Sequence, residues 1–290
     1  MLRQYCRKEH DVLLCATPIA PPAVRIPTVA VVHDLTPLVA NRLHSAKSKL
    51  LFWLSLQTLR WADAVVAVSK HTKMDLARLK LVPTKRIHVV SEGPGLLPSS
   101  QRHSLAQRLQ PYILYVGGHP LHKNVARLVE AFSRLNTPIK VKLVIVGWGT
   151  RAHIDATRNV ARKCRVSNRT VLLANLPDYE LSGLYQKCLA FVFPSLYEGF
   201  GLPVLEALAH GAPVACSSTS SIPEVAGEAA VYFNPFSVTD ITKKTQMLLD
   251  DSTLAAQLRS RGPTRARQFS WKEAAQSIHR IARSLAAGRR

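Results

Sequence analysis

No run in this sequence approaches the roughly eighteen consecutive apolar residues that a helix needs to cross a bilayer, so nothing in it reads as a membrane span. Residues 1–10 lack the apolar centre of a secretory signal. Cysteine is scarce: Cys6, Cys15, Cys164, Cys188 and Cys216 make five in 290 residues, an odd number with no close pair. That argues against a disulfide frame or a cysteine metal site and fits small apolar fillers in a reducing compartment. A cytoplasmic protein is the expectation. Acid is scarce too. Asp and Glu number 18 against 39 Lys and Arg, a net charge of +21. Such an excess attracts polyanions. The basic residues are spread over both halves, with no dense tract, aromatic interleaving, zinc-finger spacing or basic zipper, so no nucleic-acid partner is expected. An anionic membrane surface or a phosphorylated substrate accounts for the charge as well.

What is present is enough for sizeable cores. The hydrophobic class makes up 47 % and charged residues 20 %, which argues against disorder and allows one large or two medium domains. Short apolar runs at 11–15, 28–33, 64–68 and 87–90 read as buried parallel strands. Helical patterns fall near 45–61 and 70–80, the second opening on Ser69 as a cap. Residues 93–100, rich in turn formers, change the texture as an interdomain linker does. The alternation then restarts, with strands near 112–116, 141–147, 170–174, 189–194, 214–216 and 230–233. Between the first two of these, Val125, Leu128, Val129 and Phe132 mark one face of a helix. Alternation of this kind predicts a doubly wound parallel sheet with ligands at the carboxyl ends of its strands.

The richest stretch is 198–206, Glu-Gly-Phe-Gly-Leu-Pro-Val-Leu-Glu. An apolar strand enters it and a helix starting near Pro203 leaves it. A strand, glycine turn and helix place free N–H groups and a positive dipole end where a phosphate could sit. Glu198 then falls at the strand tip and Glu206 about one turn into the helix, on its inner face. Carboxylates suit vicinal hydroxyls of a ribose or hexose. Together these features predict a nucleotide-sugar site. Glu206 alone would be an exposed helix acid, Glu198 a loop acid and His33 a structural histidine.

This stretch resembles the Glu-x7-Glu motif of retaining glycosyltransferases of the family four type. The likeness extends through residues 193–198 and 207–214 to 222–227, upstream to 115–124 and 31–37, and covers roughly residues 11 to 290 in consistent order. It implies two Rossmann-like domains facing a cleft, the GT-B architecture. The implied layout is a partial acceptor-side domain over 1–95, a linker over 96–110, a nucleotide-sugar-binding domain over 111–268 and a terminal helix over 269–290 that crosses back to the first domain. It implies a donor site of Gly117, Gly118, Lys123, Glu198, Gly199, Phe200, Gly201, Leu202 and Glu206, with Glu198, His33 and Lys123 catalytic. Glu206 would hold the ribose, Glu198 the transferred sugar, Lys123 the diphosphate, and Phe200 would offer its N–H.

The activity implied is transfer of a hexosyl unit, with mannosyl as the guess, from a nucleotide diphosphate sugar to a saccharide or lipid-linked acceptor with retention, as in polysaccharide biosynthesis. A helix dipole and Lys123 take the place of a metal; no cofactor and no metal are expected, and no Asp-x-Asp motif is present. A phosphorylase or epimerase on the same architecture is the nearest other enzyme, and the glutamate spacing does not favour the epimerase. The sequence departs from the family at two points. His122 stands where a second cation is usual, and only about thirty residues precede His33, so the first domain is expected to be shortened. A non-catalytic donor-binding remnant is therefore the alternative reading. Residues 50–54, Leu-Leu-Phe-Trp-Leu, flanked by Arg42, Lys47, Lys49 and Arg60, suggest peripheral contact with an anionic inner membrane face. Their apolar residues surround the helix instead of forming a stripe, so a buried helix is expected there.

Overall fold

Short uncharged runs of Val, Ile, Ala and aromatic residues suit strands of a parallel sheet whose faces are covered by helices. The computed structural model describes residues 12–287 except 23, 25, 40–44, 102–103 and 138–139. Cys6, Arg42 and the first residue of the strand expected at 11–15 lie outside the described residues. The chain divides into two units. The first takes in residues up to Gly93, the tripeptide Glu198–Phe200 and the segment from Phe269 on; the second takes in Pro94–Tyr197 and Gly201–Gln268.

In the first unit, strands β1 (Leu13–Cys15), β2 (Thr28–Val32), β3 (Ala64–Ala67) and β4 (Ile87–Val89) form one parallel sheet in that order. Its helices are α1 (Thr36–Val39), α2 (Ala46–Gln57) and α3 (Lys70–Leu79). Ser69 caps α3 as expected, its hydroxyl accepting from the Thr72 N–H at 3.0 Å. Helix α2 corrects the expectation of burial. Leu56 is buried, but Leu50, Leu51, Trp53 and Leu54 are exposed at 57, 58, 43 and 49 %. A helix that is apolar all round buries only the side that meets the sheet, and the rest stays in solvent.

The second unit is built from α4 (Ser104–Leu109), β5 (Tyr112–Val116), α5 (Val125–Ser133), β6 (Lys142–Val146), α6 (Arg151–Lys163), β7 (Thr170–Leu173) and α7 (Asp178–Lys187). Then follow β8 (Ala190–Phe193), α8 (Leu202–Ala209), β9 (Val214–Ser217), α9 (Ile222–Ala226), β10 (Ala230–Phe233), α10 (Val238–Asp250) and α11 (Ser252–Ala266). All four apolar residues expected on one face of α5 are buried. The stretch 96–110, read as linker, carries α4 and belongs to this unit. Helix α12 (Trp271–Ala287) groups with the first unit. It buries Ala274 and half-buries Ile278, Ile281, Ala282 and Leu285, while Trp271 and Ala275 are exposed.

The parallel sheet of this unit runs β10-β9-β8-β5-β6-β7. The chain starts in the middle at β5, winds outward to β7, then returns to β8 and winds the other way. Its topological switch point therefore lies between β5 and β8, where neighbouring loops leave in opposite directions and open a crevice at the carboxyl ends. Tyr115, Phe193 and Phe191 stack in turn beneath it, with ring centroids 6.0 Å apart in each pair.

Candidate functional site

The two loops at the switch point carry the expected donor residues. After β5 the chain turns through Gly117 and Gly118, and the Tyr115 hydroxyl donates to the Gly118 carbonyl at 2.8 Å, fixing the turn from below. A short helical turn, Leu121–Lys123, follows, with Lys123 half-buried and its ammonium 5.7 Å from the centroid of the Phe193 ring. The loop after β8 is laced to it. The His122 carbonyl accepts from the Leu196 N–H at 2.8 Å and the Ser195 hydroxyl at 3.2 Å. The Asn124 amide donates to the carbonyls of Pro194 and Pro235 at 3.0 and 2.8 Å. Gly117, Gly118 and Lys123 are thus held on one rim in the second unit.

Gly201, in a left-handed conformation (φ 113°), opens helix α8, and Glu206 sits on its half-buried face. Its carboxylate is already surrounded by donors. The Tyr185 hydroxyl donates at 3.0 Å, and the backbone N–H groups of Leu96 and Gly95 donate as well. Burial raises its pKa above the ordinary carboxylate value; the three donors oppose that rise and the charge on Asp178 adds to it. Tyr185 stacks on His210, ring centroids 5.1 Å apart, and His210 in turn bonds the Glu206 carbonyl at 2.7 Å and the Ser182 hydroxyl at 3.1 Å. Gly95 has no side chain for a reason visible here. A Cβ on it would stand 2.8 Å from a Glu206 carboxylate oxygen. A carboxylate gripped this way has a fixed orientation and still has lone pairs for a ligand hydroxyl.

The first unit gathers His33, Asp34 and the tripeptide Glu198–Phe200. Gly199 packs directly on the His33 backbone: a Cβ there would fall 1.7 Å from the His33 carbonyl oxygen and 2.8 Å from Asp34 Cβ. The Gly199 carbonyl accepts from the hydroxyls of Ser69 and Thr72 at 2.7 and 3.0 Å, all of them buried. Glu198 is half-buried, whereas Phe200 is buried and meets Phe269 edge-on at 5.8 Å. The Phe200 ring is core, which leaves only its backbone to meet a ligand. His33 Nδ1 lies 2.8 Å from Glu92 Oε1 and Nε2 lies 3.2 Å from the Ala16 carbonyl. Asp34 accepts from the Thr36 N–H at 2.9 Å and so caps the following turn, and the Arg127 guanidinium donates to the Asn124 side-chain oxygen at 2.9 Å.

Sequence reasoning missed the supporting groups. Tyr185 and Glu92 were not singled out from the sequence, and Gly95 and Leu96 were legible only as members of the turn-rich stretch 93–100. Ser69 was readable as a cap, not as a partner of Gly199, which lies 130 residues away along the chain, and Thr72 was not singled out.

Two parallel-sheet α/β units with a glycine turn at a switch point define the GT-B class of glycosyltransferases. The chain belongs to the family described as Glycosyl transferases group 1, whose profile matches residues 99–265; that of Glycosyltransferase Family 4 matches residues 1–93. O-antigen chain mannosyltransferase B of Escherichia coli is 30 % identical over 256 residues, covering 84 % of this chain and 67 % of that protein. The serotype-specific mannosyltransferase WbdA of Escherichia coli is 29 % identical over 271 residues, covering 88 % of this chain but 33 % of its own length. Among solved structures, Anabaena HepE in complex with UDP superposes with a TM-score of 0.82 at 19 % identity, covering 98 % of this chain and 81 % of that one. That likeness concerns the fold.

Proposed function

We propose that this chain transfers a hexosyl unit, mannosyl in the first instance, from a nucleotide diphosphate sugar to a saccharide or lipid-linked acceptor with retention of configuration. The observation that carries the reading is the Glu206 carboxylate at the switch point, oriented by Tyr185, Gly95 and Leu96 on the same unit as Gly117, Gly118 and Lys123. Such a carboxylate suits the two hydroxyls of a ribose. Leu202 and Gly201 present the N-terminus of α8, and Lys123 meets the diphosphate, so that charge developing on the leaving group is stabilised by fixed positive groups. Glu198, Gly199 and the Phe200 N–H address the transferred sugar, and His33 joins Glu198 and Lys123 as the catalytic set. In a retaining reaction on one face of the sugar, the departing phosphate takes the proton of the attacking hydroxyl, and the protein contributes orientation and charge. No metal or organic cofactor is required by this scheme. The mannosyltransferase relatives support mannose as the sugar and polysaccharide assembly as the setting.

The decisive assay offers a panel of nucleotide sugars and oligosaccharide acceptors and reads the anomeric configuration of the product by NMR. A product with the donor's configuration is expected. An inverted product would refute retention, and tight donor binding without transfer would favour the alternative of a non-catalytic donor-binding protein.

A cytoplasmic protein bound peripherally to the inner membrane face is the setting we propose. Among the described residues no helix is long and apolar enough to cross a membrane. Helix α2 nonetheless exposes Leu50, Leu51, Trp53 and Leu54 beside Lys47 and Lys49, a mixture suited to an anionic lipid surface.

A further inference from the structure

His33 follows β2, Ala16 follows β1 and Glu92 lies just beyond β4, so the parallel sheet brings all three to its carboxyl edge. Nδ1 meets a carboxylate oxygen at 2.8 Å and Nε2 a carbonyl oxygen at 3.2 Å. Both partners are acceptors only. A neutral imidazole carries one N–H and would leave one of the two acceptors facing its lone pair, so satisfying both contacts requires a proton on each nitrogen. Glu92 is 7 % exposed, whereas the His33 side chain is 53 % exposed. The pair thus has a dry carboxylate anchor and an open imidazole end.

We propose that Glu92 is a positioning residue that holds His33 as a doubly protonated imidazolium, so that His33 acts on the donor as a fixed cation and not as a base. The consequence for turnover rests on the glycosyl transfer proposed above; the protonation state does not. Charged groups around His33 are Glu92 from the segment after β4 and Asp34 beside it, and the turn whose Gly199 packs on its carbonyl carries Glu198. The hydrogen bond to Glu92 raises the His33 pKa; burial opposes it, and the charges of Glu92 and Asp34 and the Ala16 carbonyl add to it. The stability this pair contributes is fully present below the ordinary histidine value of 6.5 and is lost as pH rises through the raised one.

The test has two arms. In the unaltered protein without donor, nitrogen-15 NMR of His33 should report two protonated ring nitrogens at pH 6.5, and a ring with a single proton there would overturn the proposal. Glu92→Gln keeps the shape and an acceptor but removes the charge. It should lower the His33 pKa and so reduce the charged fraction at pH 8. Transfer at pH 8 should fall in proportion to that fraction and recover to within about twofold at pH 5.5, the alkaline limb moving with the NMR titration. An unmoved His33 titration overturns the proposal. An equal loss of transfer at both pH values also overturns it, because that is what a merely structural Glu92 would give. If no nucleotide sugar supports transfer at all, the glycosyl reading fails alone, and the NMR arm still decides the state of His33.

Discussion

At the scale of single residues, Glu206 carries opposing demands. Its pKa is raised because burial disfavours the charge more than Tyr185, Leu96 and Gly95 favour it. The folded protein therefore holds the proton more tightly than the unfolded chain does. The contribution of this group to stability is full below the ordinary carboxylate value and declines as pH rises through the raised one. The stability gap between wild type and Glu206→Ala, from urea unfolding, should widen as pH falls from about 7 towards 4.5. A gap that stays flat would place the carboxylate in water. Lys123 makes a different demand, since only a phosphorylated ligand presents the charge it meets. Lys123→Ala should weaken a nucleoside diphosphate roughly tenfold or more and leave the bare nucleoside within about twofold, measured by calorimetric titration. Equal losses would put Lys123 away from the phosphates. Glu206 and Lys123 could be singled out as candidates because each follows a glycine turn. Tyr185 and Glu92 were not, because their partners come from segments that only the tertiary fold brings near, and neither has a local pattern of its own.

At the scale of elements, the tripeptide Glu198–Phe200 is fixed within the first unit. Ser69 and Thr72, at the start of α3, both donate to the Gly199 carbonyl, and Ser69 also caps its own helix. Replacing the pair by Ser69→Ala and Thr72→Val leaves a buried carbonyl unmet and a helix uncapped. Unfolding free energy should drop by about 2 kcal/mol, measured in urea. No drop would mean that water reaches Gly199. Gly199→Ala acts more sharply, since its methyl group would collide with the His33 backbone, which cannot rotate away. A displacement of about 1 Å of Glu198 should reduce transfer by roughly a hundredfold. Strands and helices were legible where period and composition agree, as in β5, α5, β6 and β8. Helix α2 was read as buried because an all-round apolar sequence says nothing about how many sides find a partner.

At the scale of the whole molecule, βα alternation announced parallel sheets, but not that β8 returns beside β5. Hydrophobic runs mark strands as buried without naming their neighbours, so the switch point beside which the proposed donor residues lie emerged only from the fold. The charge of +21 is likewise a property of the entire chain. If it serves an anionic membrane together with the exposed face of α2, binding to acidic vesicles should fall steeply between low and physiological salt. It should be lost with Leu51→Glu and Trp53→Glu at unchanged fold. Binding that favours nucleic acid over acidic vesicles at matched salt would overturn the membrane reading. The chain spans 67 % of one mannosyltransferase relative and 33 % of another. Binding of the donor's nucleotide part, proposed to rest on the second unit's own residues around Glu206, can therefore be tested by itself.

The most direct measurement is calorimetric titration of the 290-residue protein and its Glu206→Ala variant with a panel of nucleotide diphosphate sugars. The account predicts saturable binding of one nucleotide class by the wild type and a loss of roughly tenfold or more in the variant, as two charge-assisted hydrogen bonds to the ribose disappear. Equal affinity in the two proteins would contradict it, and Glu206 would then be a structural partner of Tyr185 and nothing more.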